Sequence, residues 1–171
     1  MAMDRVMVAG CCGAGKSTLS IALADRLGLP LIHLDRLNWL DGWKVRPKQE
    51  FDKLHEAVIS SDRWLIDGNY GRTLPKRLER CDTVIYLDFP TIICLSGIVG
   101  RVVKNHGKTR PDMGGNCPER FDWEFIKYVI SFRRTQGEKQ LKLLASTRGK
   151  NIIILKNRRQ VRKFLEGIEH V

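Results

Sequence analysis

The chain has 171 residues, enough for one domain with a sizeable core. Its 43% hydrophobic and 29% charged content is that of an ordinary globular protein, and no apolar run approaches the ~18 residues of a membrane span. The net charge of +11 is unevenly placed: residues 1–100 hold 13 Lys/Arg against 12 Asp/Glu and residues 101–171 hold 17 against 7, a bias that favours polyanions, either nucleotides or nucleic acid.

The N-terminus, Met-Ala-Met-Asp-Arg, leads straight into a short apolar run at residues 5–9 and carries no secretory pattern. That run predicts a buried strand. Residues 16–27 carry Leu19, Ala22, Leu23 and Leu27 at helical spacing, and Gly28 and Pro30 stop the helix. A second strand is predicted at 29–34, ending at Asp35. Pro47 opens a predicted helix over 47–60 with Phe51, Leu54 and Val58 on one face. Strands follow at 64–66, ending at Asp67, and at 83–87, ending at Asp88. A helix is predicted over 91–104, an irregular stretch over 105–120, mainly helix over 121–146, a fifth strand at 150–155 and a closing helix at 157–168. Segments 36–46 and 68–80 read as irregular. The alternation of helices with strands apolar on both faces predicts an α/β fold: a five-stranded parallel sheet covered by helices on both sides, in a single domain spanning 1–171. Ligands of such sheets bind at the carboxyl ends of the strands, where Asp35, Asp67 and Asp88 fall. Stretch 105–120 is long for a connector and reads as a mobile lid, or as a disordered surface excursion.

Between the first strand and the first helix, residues 10–17 read GCCGAGKS, the pattern G-x-x-x-x-G-K-[ST] of a phosphate-binding loop. Glycines at 10, 13 and 15 let backbone N–H groups curl around a polyphosphate. With Cys11, Cys12, Ala14 and Thr18 they form the predicted ATP-binding segment, and the helix start adds its positive dipole end. Lys16 supplies a mobile charge to the β- and γ-phosphates, and the Ser17 hydroxyl is a Mg²⁺ ligand. The cysteines (11, 12, 81, 94 and 117) are odd in number and lack zinc spacing, which reads as reduced thiols in a cytoplasmic setting.

Asp67 ends an apolar strand and is placed to order Mg²⁺ through water, or to cap a turn. Asp35 is a candidate acceptor base, or a turn residue paired with Arg36. His33, inside a strand, reads as a packed histidine. Arg101 and Arg110 near the 105–120 stretch, and Arg133 and Arg134 after it, suit bidentate phosphate binding or a solvated face. Tyr70, with Trp39 and Trp43, suits stacking on a ring or packing beneath loops. Arg36, Tyr70, Arg72 and Arg133 are grouped with Asp35 as candidate acceptor-binding residues. Arg158, Arg159, Arg162 and Lys163 form a basic face on the last helix, suited to nucleic-acid phosphates or to solvent.

Seven segments carry a family resemblance: GCCGAGKSTLS (10–20), LPLIHLDRLNW (29–39), GW (42–43), DRWLIDGNY (62–70), DTVIYLDFP (82–90), GKTRPDMGGNCPERFDWEF (107–125) and RRQVRKFL (158–165). On these the chain resembles the adenylate kinase and shikimate kinase group of P-loop kinases, and more closely the bacterial DNA topology modulation proteins, the FlaR-like family. The resemblance implies a three-layer P-loop fold, ATP with Mg²⁺, transfer of the γ-phosphate to a small-molecule or nucleotide acceptor, Asp35 at the acceptor, Asp67 behind the metal, and Arg101 and Arg110 as phosphate clamps. Asn69-Tyr70-Gly71-Arg72 depart from the Asp-Gly-Phe-Pro-Arg pattern of nucleotide kinases. The family's name implies DNA, the alternative partner for the basic C-terminal part.

Overall fold

The computed structural model describes residues 3–168. The reading of the start of the chain therefore lies outside the described residues at Met1 and Ala2. In chain order the elements are β1 (Arg5–Gly10), α1 (Lys16–Leu27), β2 (Leu31–His33), α2 (Leu34–Asn38), β3 (Trp39–Leu40), β4 (Lys44–Val45), α3 (Lys48–Ile59), β5 (Trp64–Asp67), α4 (Leu74–Arg80), β6 (Thr83–Leu87), α5 (Thr91–Asn105), α6 (Trp123–Phe132), a π-helical turn (Arg133–Gly137), α7 (Glu138–Ser146), β7 (Asn151–Leu155) and α8 (Arg158–Glu166).

Strand β1 has no polar face, so it must lie centrally. It pairs in parallel with β5 on one side and β6 on the other, in a five-stranded sheet of order β2-β5-β1-β6-β7. The period of two divides its side chains between two cores. Val6, Val8, Leu65, Ile85 and Leu87 face one way, with Leu19 and Leu23 of α1, Cys94 and Ile98 of α5, and Ile126 and Val129 of α6. Met7, Ala9, Trp64, Ile66, Val84 and Tyr86 face the other, with Phe51 of α3, Leu74 and Leu78 of α4, and Leu144 of α7. The result is the expected three-layer α/β/α sandwich. The chain builds β2 and β5 on one side of β1 and then crosses to β6 on the other, so the strand order reverses beside the carboxyl end of β1.

Four local expectations are corrected. The second strand stops at His33, because its partner, β5, offers three rungs and ends at Asp67. Leu34 then turns inward, and Asp35 sits in the first turn of α2. Helix α3 buries Phe51, His55 and Ile59, whereas Leu54 is exposed. Segment 36–46 holds the antiparallel pair β3–β4. Segment 68–80 ends in α4, whose start carries Pro75 and whose buried face includes Arg77.

Candidate active site

The phosphate loop follows β1 and caps α1 with Gly15 in the left-handed region (φ 92°). At Gly13 (φ 81°) a Cβ would strike the Cys94 carbonyl of α5, and a Cβ at Gly97 would strike the Gly13 carbonyl. Loop and helix α5 thus touch backbone to backbone. Lys16 Nζ donates to the Cys11 carbonyl at 3.1 Å. Lys16, Ser17 and Thr18 open the helix, where backbone N–H groups lack intrahelical partners. All five cysteines are free thiols. A hydrogen bond to Cys94, reinforced by burial, pushes the Cys11 thiol far up, so it stays protonated.

The second wall comes from the ends of β2 and β5. His33 Nδ1 lies 2.9 Å from Asp67 Oδ1, both buried, while Asp67 Oδ2 has no partner among the described residues. Asn69 Oδ1 accepts from the Gly10 amide at 3.1 Å and so ties this wall to the phosphate loop. Tyr70 takes a positive φ of 23°, and its hydroxyl donates to Asp35 Oδ1 at 2.6 Å. That backbone is clamped from beneath. The fully buried Arg77 guanidinium donates to the carbonyls of Gly68 (2.9 Å), Asn69 (2.8 Å) and Tyr70 (3.2 Å). Burial raises the Asp35 carboxyl above its ordinary 3.8, against the Tyr70 hydrogen bond and the nearby Lys16 charge, which favour the ionised form.

Segment 105–120 forms the third wall. It is sewn to the β3–β4 pair: Asn116 N donates to Asp41 Oδ1 (2.6 Å), Gly42 N to the Asn116 carbonyl (2.9 Å) and Trp43 Nε1 to the Pro118 carbonyl (3.1 Å). Buried Glu119 holds two arginines, Arg101 through Oε1 (2.9 Å) and Arg110 through Oε2 (2.7 Å). Arg110 Nη1 also donates to both oxygens of Asp112, at 2.9 and 2.7 Å. Ser17 Oγ in turn donates to Asp112 Oδ2 at 2.8 Å, joining this segment to the phosphate loop.

These walls enclose a cavity of about 920 Å³, at the upper end of the usual size for a small-molecule site. It brings together Cys12 and Lys16 from the loop, Asp35, Tyr70 and Arg72 from the second wall, Arg110 from the third and Arg101 from α5. Trp39, Trp43, Phe125 and Tyr128 supply flat apolar surface. Arg72 is partly engaged by Asp52 at 2.6 Å. Arg36 is exposed and lies outside the lining; the partner of Asp35 is Tyr70, not Arg36. Arg133 lines a separate small groove with Cys11, Tyr86, Asp88 and Thr91. Sequence reasoning missed Arg77, Asp112, Glu119 and the amides Gln136 and Gln140. Gln140 lines the cavity although its side chain is buried, and among the described residues its Oε1 has no partner. Only the pairing of acids with arginines in 108–120 hinted at any of these.

No protein-family profile and no curated protein matches the sequence. Solved structures do match along almost its full length. A shikimate kinase from Bacteroides thetaiotaomicron is 19% identical, with 96% of this chain and 95% of that one covered at a TM-score of 0.55. The fold is that of the shikimate kinases. A second such enzyme, from Acinetobacter baumannii and in complex with shikimate, is 15% identical over 98% of this chain and 91% of its own, with a TM-score of 0.58. A sugar kinase from Janibacter sp. is 15% identical over 96% and 91%, with a TM-score of 0.53. Among the described residues no helix is long and apolar enough to cross a membrane.

Proposed function

We propose that this chain is a phosphotransferase that moves the γ-phosphate of ATP to a hydroxyl of a small acceptor beneath a lid formed by residues 105–120. One observation carries the reading: Lys16 of the phosphate loop and Asp35 line the same cavity. Phosphoryl transfer needs alignment and charge neutralisation more than covalent help. The backbone amides of 13–18 and Lys16 hold the β- and γ-phosphates. Arg101 and Arg110 face the transferred group. Asp35, with its raised pKa, takes the proton of the acceptor hydroxyl as that oxygen bonds to the γ-phosphorus and the bond to the β-phosphate oxygen breaks, releasing ADP. The Tyr70 hydroxyl aims the carboxylate.

The residues suit Mg²⁺, which neutralises phosphate charge when bound. The Ser17 hydroxyl and the carboxylates of Asp67 and Asp112 are hard oxygen donors. Among the described residues no group of three or more His, Cys, Asp or Glu could hold a metal alone, which fits an ion that takes most of its ligands from phosphate and water. On the acceptor side, Gln140 Oε1 calls for a hydrogen-bond donor and the aromatic walls for a ring face. A screen of nucleosides, nucleotides and hydroxylated ring metabolites for acceptor-dependent ADP release tests the proposal. Lys16→Ala should abolish that release. Undiminished turnover in the variant would refute the role of the loop.

A further inference from the structure

The hydroxyl of Ser17 is the loop's own ligand for a nucleotide-bound Mg²⁺ in the phosphate-loop arrangement. Its hydrogen-bond partner here is Asp112 Oδ2, at 2.8 Å and 95 positions away in sequence. The acid that the strand order would assign to the metal, Asp67, is differently occupied. Its Oδ1 is held by His33 and its buried Oδ2 has no partner among the described residues, while Ser17 Oγ bonds to Asp112 and not to it. We propose that Asp112 carries a carboxylate ligand to the nucleotide-bound Mg²⁺ on the lid, so that metal binding and lid closure are one event. The inference rests on the phosphate-loop reading above.

Three observations support it. Mg²⁺ demands near-octahedral oxygens at ~2.0–2.1 Å, which puts neighbouring ligand oxygens about 2.9 Å apart. Ser17 Oγ and Asp112 Oδ2 already stand at that spacing. The carboxylate is also aimed: Arg110 Nη1 grips both oxygens, and Glu119 fixes Arg110 from behind. Asp112 is buried against the phosphate loop and not solvated. Because Asp112, Arg110 and Glu119 lie within one lid, the metal would draw the clamp arginine inward with its ligand. A carboxylate that merely latches the lid by hydrogen bonding to Ser17 would instead have to leave when the metal arrives.

Full-length protein with ADP and Mn²⁺ as the metal probe separates these cases. Bound Mn²⁺ is counted by electron paramagnetic resonance, and ADP affinity is measured in parallel with metal removed by chelator. Asp112→Asn preserves shape and can still bond to Ser17. It should weaken Mn²⁺ in the ternary complex by about tenfold or more without weakening ADP in the absence of metal. Unchanged or tighter Mn²⁺ binding would overturn the proposal and identify Asp112 as a latch. In wild-type protein labelled with ¹³C at aspartate carboxyls, direct ligation should give a strong carbon hyperfine coupling to Mn²⁺; its absence would overturn the proposal even if the variant failed to fold. Wild-type protein that binds no ADP with or without metal would refute the phosphate-loop reading, and this inference with it. Normal ADP binding with a metal indifferent to Asp112 would refute only the inference.

Discussion

Arg77→Met tests how the acceptor wall is held in shape. The side chain is fully buried, and burial lowers its pKa to about 10, so it remains charged at neutral pH. Its three hydrogen bonds fix the carbonyls of Gly68, Asn69 and Tyr70. Each contributes about 1 to 1.5 kcal/mol net. Methionine fills similar volume and relieves the cost of burying a charge, which offsets part of the loss. A net destabilisation of about 2 to 3 kcal/mol follows, and at this chain length that is a fall in melting temperature of roughly 5 to 10 °C. Thermal unfolding followed by circular dichroism reads the shift. The same loosening should free Tyr70 from Asp35 and raise the KM for the acceptor more than that for ATP. Arg77→Lys keeps the charge but not the fork that spans three carbonyls, so it should fall nearly as far. A melting temperature within about 2 °C of wild type, with unchanged acceptor kinetics, would refute this account of the wall.

Asp35 predicts the acid limb of the pH–rate profile. Its carboxyl is raised by burial, so kcat/KM should fall with decreasing pH at values above the ordinary 3.8, as a proton occupies the base; Tyr70→Phe removes a bond to the ionised form and should move that limb further up. Asp35→Asn should cost at least ~10²-fold in turnover, and a profile in which neither change appears would remove Asp35 as the base. Gly97→Ala drives a Cβ into the Gly13 carbonyl and should weaken ATP binding at least about tenfold. Gly100→Ala on the same helix meets open space and should stabilise by about 0.5 to 1 kcal/mol; calorimetry of nucleotide binding and thermal melts check both. Burial holds His55 down at about 4 against an ordinary 6.5, so the unfolded chain takes up the proton first. Stability from this residue is complete above 6.5 and lost as pH falls toward 4, by at most about 3 kcal/mol. His55→Gln should flatten that loss in urea melts taken across the range.

The phosphate loop and the central strands were legible because their signals are contiguous: glycines at fixed offsets, then short runs apolar on both faces. Helix α4 was not, since Arg77 occupies a buried position of the helical period and breaks its apolar pattern. His55 did the same in α3 and rotated the inferred face. Asp35, Tyr70, Arg101 and Arg110 were found as residue types at element ends. Whether a side chain at such an end points inward is set by the backbone beneath it, so Arg36 and Arg133 were grouped with them and lie elsewhere. Asp112 and Glu119 were illegible for a further reason: their meaning comes from partners outside the local pattern, Ser17 at one remove and Arg101 at the other.

The seam between lid and hairpin has a practical consequence in the indole of Trp43. Its N–H is bonded to Pro118, Arg120 lies 6.0 Å from its ring, and Trp39 packs edge-on at 5.4 Å. Displacement of the lid would strip away the first two together, whereas fully buried Trp64 would keep its surroundings. On the lid reading proposed above, Trp43 would serve as an optical gauge of closure with Trp64 as its steady background, and opening would be timed by intrinsic fluorescence without attaching a label.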